Sequence, residues 1–310
     1  MEHDGFQHQA LIYGDAGEYL AATLPFLRQG IDAGEDLLVA VGPDQTQLLK
    51  NELGREAERV RFLDMREVGR NPALIIPLWR DFVDAGGARG LRGIGEPVWA
   101  ARSEAALEEC QRHESLLNVA FDHGSAWSLL CPYDAASLGD EVLEKVAHSH
   151  SVVCRDGVGE ESWSFVAEAD SFTGRLPPPA APVESLDFGL EELSEVRRRV
   201  SAAAERAGMD PGGVADLVTA ASELAANSVI HGGGSGTLRL WVEEERLLTE
   251  VEDGGRIEEP LAGRLRPDVA QDGGRGLWLA NQLCDLVQIR SDERGTTVRL
   301  HAMAREVDYV

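Results

Sequence analysis

Lysine is almost missing from this chain: Lys50 and Lys145 stand alone against 27 arginines. Neither lysine closes a G-x-x-x-x-G-K-[ST] loop, so a Walker-type phosphate cradle is excluded and any nucleotide site has to be built another way. Positive charge as a whole is scarce. Asp and Glu number 54 against 29 Lys and Arg, a formal charge of -25, which argues against direct binding to nucleic acid because clustered basic residues supply most of that affinity. Partners should therefore be proteins or small ligands. No apolar run approaches the roughly 18 residues of a membrane helix, and the start, Met1-Glu2-His3-Asp4-Gly5, has neither the basic nor the apolar part of a secretory signal. The expectation is a cytoplasmic chain with no membrane association. Cys110, Cys131, Cys154 and Cys284 are too far apart for a C-x-x-C metal or redox motif, so they are expected as free, buried thiols with no assigned chemistry.

What is present is enough chain for two domains. The 310 residues, 43% hydrophobic and 27% charged, can bury two separate cores. Four prolines at 177, 178, 179 and 182 forbid helix and favour an extended spacer, which places a linker over 171–184 between domains at 6–170 and 185–303. Upstream, short apolar runs at 10–13, 37–41, 60–63, 91–94 and 126–131 alternate with helical patterns. That alternation predicts βαβ units and a doubly wound, mostly parallel α/β domain. Downstream, helices over 190–207 and about 210–230 precede strands at 237–245 and 246–253, a short helix at 277–284, and strands at 286–291 and 296–302. Helices on one side of a largely antiparallel sheet make an α+β sandwich.

Three motifs in the second domain carry chemistry. Glu223 and Asn227 lie four apart and share one face of a helix whose other positions, Leu217, Val218, Ala221, Leu224 and Val229, are apolar. Their oxygens suit Mg²⁺ and the orientation of a nucleophile. Asp253-Gly254-Gly255 ends a strand, where a carboxylate can accept from an exocyclic amine and glycine admits a base close to the backbone. Gly273-Gly274-Arg275-Gly276 opens a helix, an anion site of backbone N–H groups and helix dipole.

In this order and spacing, and closed by Gly295-Thr296-Thr297-Val298, these segments resemble the N, G1, G2 and G-T-x-[VF] boxes of the GHKL (HATPase_c) superfamily, which implies a Bergerat-fold sandwich. By resemblance, Asn227 would ligate the Mg²⁺ of Mg-ATP, Asp253 would read adenine, and Gly255, Gly273, Gly274, Arg275, Gly276 and Thr296 would shape the nucleotide pocket. Glu223 would be the general base. The segment from Asp253 to Gly273, with Arg256, Arg264 and Arg266, would be a mobile ATP lid. One histidine-free helix over 191–207 is unlike a histidine kinase. The N box with His231-Gly232, the short lid and Gly274-Arg275-Gly276-Leu277-Trp278-Leu279 resemble instead the anti-sigma-factor serine/threonine kinases, which bind a sigma factor, phosphorylate an antagonist protein, and are commonly homodimers. Two alternatives stay open: a non-catalytic regulator that uses ATP to order its partner surface, and an atypical histidine kinase using His113, His148 or His150.

In the first domain, segments 8–13, 34–39, 95–99 and 114–118 resemble the MEDS sensory domain of methanogen and methylotroph regulators. That implies a RecA-like sheet without a P-loop and a role in transcription regulation by sensing small organic ligands. Glu96, Trp99, Glu114 and Asn118 are the candidate pocket residues, with His123 and Cys131 close in sequence. His148 and His150 would share one face if they lay on a strand, but no third ligand stands beside them, so no metal site is assigned there.

Overall fold

A computed structural model describes residues 5–86, 90–122, 126–155, 158–166, 172–180, 182–267 and 274–304. The chain divides into two compact units, Met1–Ala169 and Asp170–Val310.

The first unit runs β1 (Phe6–Tyr13), α1 (Ala16–Ala33), β2 (Asp36–Val41), α2 (Pro43–Leu53), β3 (Val60–Asp64), α3 (Met65–Val68), α4 (Ile75–Ala85), β4 (Leu91–Gly95), α5 (Glu104–Phe121), β5 (Trp127–Asp134), α6 (Asp140–Ser149), β6 (Val152–Arg155) and β7 (Val158–Glu161). They form one seven-stranded sheet in the order β3-β2-β4-β5-β1-β6-β7. All pairings are parallel except that of the edge strand β7. The unbroken apolar run Leu37 to Val41 is buried at every position, as a strand covered on both faces requires. Asp15 starts α1 by accepting from the Glu18 N–H at 2.9 Å, and Gly34, at φ +71°, ends it, as a left-handed C-terminal cap does. The strands β6 and β7 go beyond the sequence expectation, because their four-residue lengths leave too little alternation to detect.

The second unit runs β8 (Glu184–Phe188), α7 (Leu193–Arg206), α8 (Pro211–His231), β9 (Gly236–Glu243), β10 (Arg246–Asp253), α9 (Arg275–Leu283), β11 (Leu286–Asp292) and β12 (Gly295–Met303). Its sheet is antiparallel throughout, in the order β11-β12-β10-β9-β8. Asp210 caps α8 by accepting from the Gly212 and Gly213 N–H groups, and Pro211 opens the first turn, where its missing N–H costs nothing. Val196 and Val200 of α7, Leu217 and Leu224 of α8, and Val251 and Leu300 of the sheet share one apolar core.

The segment expected as an extended spacer is more engaged than its prolines suggest. The Phe172 carbonyl accepts from Ser291 N–H at 3.0 Å, the Pro177 carbonyl accepts from Arg299 at 2.8 Å, and β8 begins at Glu184. Phe188 of that strand is buried in the core, which composition alone did not reveal.

Candidate functional site

The motifs of the second unit meet around one cavity of about 380 Å³. Its apolar wall comes from Leu224, Val251, Ile257, Leu277 and Val298, and its polar groups include Asn227, Asp253 and Thr296. α8 supplies Asn227, the end of β10 supplies Asp253, and the start of β12 supplies Thr296. An apolar cavity with a few placed polar groups is what an aromatic ligand needs.

Asp253 is held from both sides. The Ser228 hydroxyl donates to Oδ2 at 2.6 Å, and the Gly255 N–H donates to Oδ1 at 2.8 Å. Thr296 donates to the Gly255 carbonyl at 2.9 Å, and the Ser291 hydroxyl accepts from the Ile257 N–H at 2.9 Å. The loop leaving β10 is thus fastened to β11 and β12. Ser228 and Ser291 were not among the sequence candidates. Ser228 directly follows Asn227, so only its buried position facing β10 distinguishes it from an ordinary helical serine.

Gly276, in the first turn of α9, lies against Asn227 and Glu223. A Cβ there would stand 2.7 Å from Asn227 Nδ2 and 3.3 Å from Glu223 Oε2. Glu223 and Asn227 are therefore on one face of α8, as their spacing predicts, and that face looks at the N-terminus of α9. Gly274 precedes the helix at φ +79° with no side-chain cap, and the positive end of the helix dipole at that terminus favours an anion. Gly273 lies outside the described residues. Of the arginines expected in the lid, Arg256 and Arg266 are exposed, whereas Arg264 is buried and does not fit a solvent-swept loop.

In the first unit the four expected pocket residues fall into three settings. Glu96 follows β4 and accepts from the Tyr13 hydroxyl at 2.9 Å, and burial raises its carboxyl from 4.5 to about 7. Trp99 lies under the Arg102 guanidinium, 3.7 Å from the ring centroid. Glu114 and Asn118, one turn apart on α5, both reach His8 of β1: His8 Nε2 to Glu114 Oε2 is 3.1 Å, and His8 Nδ1 to Asn118 Oδ1 is 3.1 Å. His123 lies outside the described residues.

The strand reading of His148 and His150 is corrected. His148 sits in the last turn of α6 and His150 caps that helix, so the first is exposed and the second fully buried. His150 points instead at Glu114, Nε2 to Oε2 3.0 Å, and Cys131 Sγ is 3.4 Å from His8 Nε2. Burial, aided by the Glu114 charge, pushes the Cys131 thiol up. His113 and His150 are fully buried, which removes them as surface phosphoacceptors.

Comparison with known proteins assigns both halves. The model of the MEDS domain, described as the methanogen/methylotroph, DcmR sensory domain, matches residues 7–151, and that of the histidine kinase-like ATPase domain matches residues 187–302. The anti-sigma F factor of Clostridium botulinum strain Eklund 17B is 31% identical over 131 residues, covering 37% of this chain and 90% of the relative. The anti-sigma F factor of strain Alaska E43 matches with the same identity and coverage. A solved structure of the RsbU and RsbW domains of Rv1364c from Mycobacterium tuberculosis aligns at 21% identity and a TM-score of 0.32, over 42% of this chain and 35% of that one. No helix among the described residues is long and apolar enough to cross a membrane.

Proposed function

We propose that this chain, which belongs to the anti-sigma F factor family of histidine kinase-like ATPases, binds Mg-ATP in the cavity of its second unit, holds a sigma factor, and phosphorylates a Ser or Thr of the antagonist that would displace it. The observation that supports this reading is the pairing, in one cavity, of an apolar slot ending at Asp253 with the N-terminus of α9 facing Glu223 and Asn227. These residues fit the nucleotide. Asp253 would accept from the adenine amine, with Thr296 and Gly255 keeping the carboxylate loop in place. The N–H groups at the start of α9, with Arg275, would hold the phosphates.

Bound there, Mg-ATP supplies the transferable phosphoryl group and the metal charge that offsets its negative oxygens. Asn227 offers the amide oxygen for that metal. Glu223, one helical turn away and beside the same α9 terminus, takes the proton of the incoming hydroxyl as the general base. The MEDS domain is the natural place for a small organic ligand to regulate this activity, in a cytoplasmic regulator of transcription that acts as a homodimer.

The deciding experiment incubates the full chain with Mg-ATP and candidate antagonist proteins. Acid-stable phosphate on an antagonist Ser or Thr is expected. Nucleotide-dependent capture of sigma factor or antagonist without transfer would overturn the kinase and leave an ATP-dependent binding protein, and acid-labile phosphate on the chain itself would indicate a histidine kinase.

A further inference from the structure

Four side chains from four places in the first unit converge on one buried point: His8 of β1, Glu114 of α5, Cys131 of β5 and His150 at the end of α6. Their donor atoms all lie within 4.8 Å of one another, and all four residues are at most 2% exposed. The closest pairs are 3.0 Å, 3.1 Å and 3.4 Å.

The hydrogen bonds around the cluster settle which ring nitrogens face inward with a lone pair. Asn118 donates its amide to the Ser149 carbonyl at 2.8 Å, so its oxygen is the atom turned to His8 Nδ1, 3.1 Å away. An amide oxygen can only accept, so His8 carries its proton on Nδ1. His150 Nδ1 lies 2.8 Å from the Val146 carbonyl and must likewise be protonated. Both Nε2 atoms in neutral rings are therefore acceptors, and both are aimed at the same Glu114 oxygen, itself an acceptor. Protonating both rings would place two imidazolium ions beside one carboxylate with their ring centroids 4.0 Å apart, a like-charge repulsion in a low-dielectric setting. A single divalent cation satisfies all the facing lone pairs at once. Each imidazole also has the outer partner that metal-bound histidines ordinarily have, a carbonyl oxygen on the far nitrogen.

From this convergence we infer that His8, Glu114, Cys131 and His150 form a divalent transition-metal site of the Zn²⁺ type, closed by four protein ligands. Two imidazoles, a thiolate and a carboxylate suit that borderline ion. Tetrahedral bonds of about 2.0–2.3 Å put neighbouring donors roughly 3.3–3.7 Å apart, so the closest pairs need move only a few tenths of an ångström. Binding releases the Cys131 proton to solvent and forms the metal–sulfur bond with no change of oxidation state. The ion would pin β1 and β5 to α5 and α6, the elements that also carry Asn118 and Tyr133. With every ligand supplied by the protein, its role is to hold the sensory domain together rather than to activate water.

The test uses the full chain, loaded with Zn²⁺ or with Co²⁺ as a spectroscopic substitute after chelator treatment. One equivalent per chain is expected, with four-coordinate Co²⁺ bands and a thiolate-to-Co²⁺ charge-transfer band. Cys131→Ser should abolish that band, His150→Gln should weaken Zn²⁺ binding about 100-fold, and His148→Gln, on the exposed neighbour, should change neither. If a variant fails to fold, the unsubstituted chain decides by itself: alkylation of Cys131, followed by mass spectrometry, should quicken when the metal is stripped. Less than a tenth of an equivalent of bound metal, a charge-transfer band that survives Cys131→Ser, or Cys131 alkylation indifferent to metal overturns the site.

Discussion

The Ser228 hydroxyl donates to Asp253 Oδ2 at 2.6 Å, joining the buried face of α8 to the end of β10 across 25 residues of chain. The Leu224 carbonyl one turn back lies 3.1 Å from the same hydroxyl and competes for its single proton, which the closer carboxylate takes. A carboxylate aimed in this way is ready to accept from an adenine amine without first reorganising. Ser228→Ala should therefore weaken Mg-ATP binding roughly three- to tenfold, the worth of one lost hydrogen bond, while Asp253→Ala should remove binding altogether. Calorimetry on the full chain measures both, and equal affinities for Ser228→Ala and the parent would show that Asp253 needs no such support.

Gly276 is where α9 meets α8. Its Cβ, if present, would stand 2.7 Å from Asn227 Nδ2, too close without displacing the amide. Gly276→Ala should cost about 1–3 kcal/mol of stability through overpacking and at least tenfold in nucleotide affinity. Gly274→Ala meets nothing within 4 Å and should lose only the roughly 1–2 kcal/mol of a left-handed backbone at φ +79°. Thermal melts with and without Mg-ATP separate the two, and reversed rankings would mean that this helix contact is not what shapes the site.

Glu223 and Asn227 share a face but are proposed for different tasks, so their substitutions should separate. Asn227→Ala should leave no measurable Mg-ATP binding. Glu223→Gln should bind within about threefold of the parent yet transfer phosphate on the order of 10²- to 10⁴-fold more slowly. Transfer at the parent rate by Glu223→Gln would remove Glu223 as the base.

Glu96 makes the first unit sensitive to pH in a stated direction. Burial raises its carboxyl from 4.5 to about 7, so the folded chain keeps a proton that the unfolded chain has released. The folded state holds more of the Glu96 proton inside this window, so the contribution of Glu96 to stability is greatest below pH 4.5, falls by about 1.4 kcal/mol per unit as pH rises toward 7, and then levels off. Glu96→Gln keeps an acceptor for Tyr13 and removes the charge. The first unit of that variant should unfold at higher denaturant at pH 8 than the parent, with little difference at pH 4.5. Matching unfolding curves at pH 8 would contradict the burial cost.

The ATP boxes were legible because their information is local. Glu223 and Asn227 need only helical spacing, Asp253-Gly254-Gly255 only a strand end, and Gly274-Arg275-Gly276 only a helix start, and each turned up on the expected element. The alternation of apolar runs with helices likewise foretold a parallel sheet in the first unit. Periodicity does not carry what happens across the chain, and β8 escaped because a five-residue edge strand beside a proline run has too few buried positions to announce itself.

The sequence by itself determined that this chain lacks a Walker loop and carries, in order, motifs that resemble the GHKL boxes. Only the tertiary structure decided that Ser228 supports Asp253, that His148 and His150 part company at the end of α6, and that His8 meets Glu114 and Cys131, 106 and 123 residues away. For the His8 cluster the physical reason is the parallel sheet of the first unit: its neighbours β1 and β5 are joined through crossovers rather than a hairpin, so side chains far apart in sequence are packed into one buried layer that no local pattern encodes.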